Sequence, residues 1–272
     1  MKGFKESNKK KLDKINENNL ALYTQAVNLQ KKGELNKAAQ IYHQLIKNKY
    51  FDENVFLNYA SICQHQKKSR DAILLLKESI KINPKNFIPF FKMGFILNNR
   101  GSYYEAYPFA KKAIELNPNL WEGYHNLIKI LRNLKRPVDA AKYAETAVNL
   151  FSSNHLFNGL LGNIYSDTGD FKKAAYHYKR AISKAPKDDE TIYSFANFLI
   201  GTGNKKEGMD YLNQTLKVNP YHAISYYSLS TIIDVKQEKE YTAKILNLEV
   251  QNFKKIEDIY TILFSKAHIF HK

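Results

Sequence analysis

Few residues in this chain are spaced for chemistry, and each candidate set also has a purely structural use. Cys63 is the single cysteine, so no intramolecular disulfide can form. It falls on the apolar face of a predicted helix, the setting of an inert buried thiol rather than a nucleophile. His268 and His271 stand three apart, a spacing that puts two imidazoles on one helical face. No cysteine or carboxylate follows them at ligand spacing, so no metal is expected. Gly201-Thr202-Gly203-Asn204 offers glycines for a phosphate cradle but lacks the trailing glycine, the lysine and a preceding strand. Asp188, Asp189 and Glu190 lie where a loop meets a helix start, and there carboxylates offset the helix dipole. No nucleophile–base pair is present and no cofactor is called for. The chain reads as a non-enzyme.

Charge points to partners only weakly. The formal net charge of +16 comes from 37 lysines and 5 arginines. Arginine supplies the bidentate contacts that read phosphate and guanine, and it is scarce here. A lysine-rich surface attracts polyanions at low salt, with binding that falls steeply as salt rises, but no specific nucleic-acid partner is expected. No run approaches the length of a membrane span. The opening Met1-Lys2-Gly3-Phe4-Lys5 is basic without an apolar stretch behind it, so no secretory signal is read. With one cysteine, a cytoplasmic location is expected.

The elements that position these residues follow from a period. Ala38, Ala72, Ala106, Ala140, Ala174 and Gly208 are each 34 residues apart. A second series runs Pro84, Pro118, Pro186 and Pro220, with Ser152 in the vacant slot; a third runs Ala26, Ala60, Gly94, Ile128, Gly162, Ala196 and Ser230. A strict period of this length marks a repeat architecture. Units begin at 19, 53, 87, 121, 155, 189 and 223. Each unit shows helical apolar spacing twice over. In the third, Phe90, Met93, Gly94 and Leu97 form one stripe, Gly101 breaks it, and Ala106, Ala110 and Ala113 form the next. Small residues allow two antiparallel helices to approach closely, with bulky side chains such as Tyr165 and Tyr178 filling the space beside the crossing. Gly33, Gly101, Gly169 and Gly203 fall at the turns, where a positive φ is expected.

This pattern resembles the tetratricopeptide repeat (TPR) family over residues 19–235. The fifth unit matches it most fully, through Leu161-Gly162, Tyr165, Gly169-Asp170-Phe171, Ala174, Tyr178, Ala181 and Pro186. The resemblance implies an all-α fold, a right-handed superhelix (α-solenoid) of about seven helix pairs. Residues 1–18 read as a basic, disordered lead-in and 236–272 as an irregular helical extension. That extension ends in an unfinished helix pair, with a last stripe of Ile259, Leu263, Ala267 and Phe270.

In that family the first helix of each pair lines a concave groove. Transferred position by position, the groove here holds Asn58, Lys92 and Asn126 at the sixth place of their units. Lys129, Asn163 and Asn197 stand at the ninth, and Phe91, His125, Tyr193 and Tyr227 at the fifth. Asparagine both donates and accepts, so it can hold an extended peptide backbone without reading side chains. The ladder is broken by Lys92, Leu160 and Ser194. Some family members clamp a C-terminal carboxylate with lysine and asparagine, and Lys92, Asn126 and Lys129 are similar to part of such a clamp. The resemblance implies a scaffold that binds a protein or peptide.

The two ends of the chain suggest an alternative. The Met1-Lys2-Gly3-Phe4 start resembles TPR proteins of low-GC marine bacteria. The stretch from Ile259-Tyr260 to His271-Lys272 is similar to the junction in bacterial TPR–sulfotransferase fusions. These likenesses imply a substrate-targeting arm of a sulfotransferase-type transferase whose catalytic domain is absent.

The crossing positions carry a test of the helix pairing. Ala174→Leu should destabilise the protein by roughly 1–3 kcal/mol through overpacking; an unchanged thermal melt would show that Ala174 does not sit at a close crossing.

Overall fold

The turn inside each helix pair is set by one backbone slot. In the computed structural model, which describes residues 2–272 with side chains from Asn16 onward, a positive φ recurs at Gly33, Lys67, Gly101, Lys135, Gly169 and Gly203, between 57° and 89°. At Lys67 the backbone N–H reaches the Gln64 carbonyl (3.0 Å) and the next N–H, of Lys68, reaches the Cys63 carbonyl (2.8 Å). This pair of bonds closes a helix end on a left-handed residue. Glycine enters that conformation freely, whereas Lys67 and Lys135 occupy it against the steric preference of an L-residue.

All regular structure among the described residues is helical, and it falls into two compact units, one ending at Lys135 and one starting at Arg136. The first holds α1 (Lys2–Lys31), α2 (Leu35–Lys47), α3 (Glu53–His65), α4 (Ser69–Ile82), α5 (Phe87–Asn99), α6 (Tyr103–Leu116) and α7 (Trp121–Asn133). The pairs α1/α2, α3/α4 and α5/α6 are antiparallel neighbours, and α5 also touches α7. α1 is helical from Lys2, inside the segment whose polar composition suggests a disordered lead-in. That stretch has no proline and many lysines, and lysine is a good helix former.

The second unit holds α8 (Pro137–Leu150), α9 (Leu156–Thr168), α10 (Phe171–Lys184), α11 (Asp189–Gly201), α12 (Lys205–Val218), α13 (Ala223–Ile232), α14 (Lys239–Leu246) and α15 (Ile256–Phe270), with a 3₁₀ turn at Val250–Asn252. Pro137 stands at the start of α8, where its missing N–H costs nothing. The pairs α9/α10 and α11/α12 repeat the packing of the first unit, and α9 also touches α11.

Each crossing is closed by small residues. Ala38, Ala72, Ala106, Ala140 and Ala174 are fully buried. A β-carbon on Gly94 would lie 3.0 Å from the backbone nitrogen of Ala110, and one on Gly162 would lie 2.7 Å from the Tyr178 ring. The nearest partner of Gly162 is therefore Tyr178, one turn beyond the Ala174 that the sequence suggests. In the sixth repeat the two small series do meet, since a β-carbon on Gly208 would stand 3.0 Å from the Ala196 carbonyl oxygen.

The C-terminal end departs from the expected arrangement. α13 packs chiefly against α15, and only lightly against α14, so α15 takes the place of the second helix in the last pair and α14 is an insertion. The buried face of α15 is Ile262, Ser265 and Ile269. The stripe expected from the sequence is largely exposed: Leu263, Ala267 and Phe270 face solvent and Ile259 is half-buried. Ser265 explains the choice, because a small side chain there lets α15 approach α13. Among the described residues no helix is long and apolar enough to cross a membrane.

The strained slot predicts a stabilising change. Lys67→Gly removes a left-handed conformation costing about 1–2 kcal/mol, against roughly 0.5–1 kcal/mol for glycine's greater freedom in the unfolded chain. The urea midpoint should rise by the equivalent of about 0.5 kcal/mol, whereas the same change at exposed Lys77, within α4, should lower it.

Candidate functional site

The first helices of the N-terminal unit bring polar side chains together without neutralising them. On α3, Asn58 donates from Nδ2 to the Tyr23 hydroxyl at 3.3 Å. On α5, Lys92 is half-buried, and among the described residues its ammonium has neither an ion-pair nor a hydrogen-bond partner. Burial holds its pKa below the ordinary lysine value. Phe91 lies beside Phe95, ring centroids 6.3 Å apart. At the end of α5, Asn98 donates from Nδ2 to Oδ1 of Asn126 at 2.9 Å and so ties α5 to α7.

Asn126 is only 4% exposed, and its own Nδ2 is buried with no hydrogen-bond partner. A buried amide N–H₂ without an acceptor costs about 1–3 kcal/mol. The preceding residue, His125, has its pKa lowered first by burial and then by the charge of Lys129 one turn along. Lys129 itself is exposed. These helices therefore carry two lysines and an imidazole with a lowered pKa above a buried amide donor, and among the described residues no carboxylate is paired to the two lysines.

The second unit arranges its share differently. Asn163 accepts a hydrogen bond from the Tyr178 hydroxyl at 2.7 Å. Asn163 and Asn197 line one open cavity of about 350 Å³ together with Ser166, Ser194 and Thr202. Ser228 donates to Asn197 Oδ1 at 3.4 Å and lies the same distance from the Tyr193 hydroxyl. The Tyr193 ring centroid is 4.9 Å from that of His222. Tyr227 does not join this cavity; it is 42% exposed and opens onto a cleft beside α15.

Sequence reasoning missed Asn98, Ser166 and Ser228. Asn98 and Ser166 sit late on their first helices, beyond the positions transferred from the family, and each joins the polar side chains of its own unit, Asn98 through Asn126 and Ser166 beside Asn163. The other chemical candidates resolve structurally. Cys63 is 3% exposed with its thiol pKa raised by burial. Gly203 is a turn residue with φ 89°. Asp188 accepts from the Thr191 hydroxyl and faces His155 Nε2 at 3.2 Å, while Asp189 accepts from Asn219 at 2.6 Å. Among the described residues no group of three metal-ligating side chains is gathered.

Comparison with known proteins agrees with this architecture. Models described as tetratricopeptide repeat match residues 20–50, 126–189 and 166–231. A TPR repeat-containing protein of Methanocaldococcus jannaschii is 25% identical over 244 residues, covering 81% of this chain and 42% of its own length. A BBSome complex member of Bos taurus is 29% identical over 132 residues, covering 48% of this chain and 25% of its own length. The chain thus spans less than half the length of these curated relatives.

Among solved structures, the PilF protein of Pseudomonas aeruginosa superposes with a TM-score of 0.63 at 14% identity, over 80% of this chain and 98% of that one. YrrB, described as a TPR protein with an unusual peptide-binding site, gives a TM-score of 0.56 at 16% identity, over 70% and 98%. At these identities the likeness concerns the fold.

The environment of His125 makes a pH prediction. Its folded pKa lies below the unfolded value of about 6.5, so the fold favours the neutral ring. That contribution to stability is present above the unfolded value and is lost as pH falls through it towards the folded one. An NMR titration of the His125 ring should inflect below the free-histidine value, and Lys129→Ala should move the inflection upward. An inflection at or above the free value would contradict the buried, like-charged setting.

Proposed function

The chain belongs to the tetratricopeptide-repeat family, and we propose that it is a non-catalytic scaffold that captures an extended segment of another protein on the face formed by α3, α5 and α7. The observation that carries this reading is the unpartnered state of Lys92 and Asn126. A buried amide N–H₂ and a desolvated ammonium both weaken the free protein. The half-buried ammonium gains directly if a ligand supplies oxygen acceptors, as a peptide carbonyl and a carboxylate do, and the amide gains once the side chains over it open. Asn98, already bonded to Asn126 Oδ1, fixes the orientation of that amide, and its buried donor is reached once the side chains over it move aside. Lys129 adds charge at the edge, and Phe91 with Phe95 offers an apolar contact for a side chain of the ligand.

The ligand of this reading is an extended acidic peptide, with a free C-terminal carboxylate or an Asp/Glu side chain at Lys92. The neighbour whose description names a peptide-binding site supports the general mode for a chain of this fold. No observation here favours the transferase-arm alternative over a scaffold.

The test uses fluorescein-labelled acidic and neutral peptides, each with a free or an amidated C-terminus, and the full chain in fluorescence anisotropy. Acidic peptides should bind more tightly than neutral ones. Lys92→Met should weaken binding roughly tenfold or more, as loss of a charge-assisted contact does, while leaving the melting temperature equal or higher because it removes a desolvated charge. Equal binding by parent and Lys92→Met, or no binding of any acidic peptide, would refute the assignment.

A further inference from the structure

The outward side of α15 is unlike that of the helices before it in the same unit. Pairs α9/α10 and α11/α12 are each followed by a further helix that packs on them, α11 and α13. Among the described residues no further helix packs on the outer side of the α13/α15 pair, and that side is apolar. Ile256, Tyr260, Leu263, Ala267 and Phe270 are all exposed, Phe270 to 76%. Their spacing is four, three, four, three, which is the alternation of a coiled-coil seam. The buried side of the same helix uses other residues, Ile262, Ser265 and Ile269, so the exposed seam is not explained by the fold. Alongside it, Ile224 and Tyr227 of α13 and Phe264 of α15 border an open cleft of about 700 Å³.

The charges around this face are arranged to spare it. In a chain of net charge +16, the two lysines at the end of the structure are tied back to backbone carbonyls. Lys266 Nζ donates to Leu248 O at 2.7 Å, and Lys272 Nζ donates to Thr231 O and Ile233 O at 2.8 and 3.0 Å. At the other end Glu257 and Asp258 offset Lys254 and Lys255.

We infer that this seam is a self-association surface, on which α15 pairs antiparallel with α15 of a second copy of the chain. The spacing of the seam and the helix dipoles favour a second copy. Ile256 and Phe270 lie seven residues to either side of Leu263, so a two-fold axis at Leu263 sets each against the other in the second copy. An antiparallel pairing opposes the dipoles of the two α15 helices. A parallel pairing would instead align the two dipoles.

The area also suffices. At roughly 200 Å² for a whole aromatic side chain, the exposed fractions of Tyr227, Tyr260, Phe264 and Phe270 alone amount to about 500 Å². Two copies would then bury about 1,000 Å² of aromatic surface, the size at which specific interfaces begin. Long-range repulsion between two basic chains is screened beyond about 8 Å at physiological ionic strength.

Sedimentation equilibrium of the full chain tests this, run at several protein concentrations. The parent should shift towards the mass of two chains as concentration rises. Leu263→Glu should weaken that association roughly tenfold or more, and Tyr104→Glu, at an exposed aromatic elsewhere, should leave it unchanged.

Cysteine cross-linking reads the geometry without relying on a disruptive change. An Ile256→Cys chain mixed with a Phe270→Cys chain should form a mixed disulfide under mild oxidation. Each alone should remain largely uncrosslinked, since Cys63 is buried. A monomer at every concentration would overturn the proposal, as would association insensitive to Leu263→Glu. Self-crosslinking of Ile256→Cys with itself would overturn the antiparallel geometry.

Discussion

The constraint on which the rest depends is a helix crossing too close for ordinary side chains. At Gly94, Gly162 and Gly208 an added β-carbon would stand between 2.5 and 3.0 Å from its nearest neighbour, inside van der Waals contact. Such an approach brings the helices close enough for large side chains such as Tyr42, Phe157, Tyr178 and Phe195 to be fully buried beside the crossings. It also fixes two distances along the chain, from crossing to turn and from one crossing to the next. A residue in the left-handed slot must close each turn at the right height. The 34-residue period is the record of those distances, and it sets the first helices side by side, α5 against α7 and α9 against α11.

The sequence was legible wherever that constraint demanded a residue type. Alanine and glycine at the crossings and proline after the second helices announce helix pairs, and the structure contains them. The turn slot was only partly legible. Gly33, Gly101, Gly169 and Gly203 mark it, but Lys67 and Lys135 share its geometry without any compositional sign. Neighbouring backbone bonds hold them there, and such bonds leave no trace in residue type.

The last helix was misread for a different physical reason. α15 is apolar on two sides, so its periodicity fits two stripes, and periodicity alone does not say which is inside. The deciding residue was Ser265, fully buried; its small size permits the approach to α13 that a larger residue would block. The candidate site was legible in the same partial way. Lys92, His125 and Asn126 fall on first helices by counting. That Lys92 lacks a counter-ion and Asn126 an acceptor depends on which side chains are absent nearby, and counting cannot reveal that.

Two kinds of unfinished surface therefore coexist, and their chemistry separates their partners. Around Lys92 and Asn126 the deficit is in acceptors. A hydrophobic contact would leave that deficit in place and worsen it by excluding water, so an apolar helix is a poor ligand there. Along Ile256, Tyr260, Leu263 and Phe270 the deficit is in apolar cover. An acidic peptide laid on that seam would bury its own charges without compensation, so it is a poor ligand in turn. One surface suits an oxygen-rich extended chain and the other an amphipathic helix such as α15 itself. The α5/α7 face and the α13/α15 face lie in different compact units.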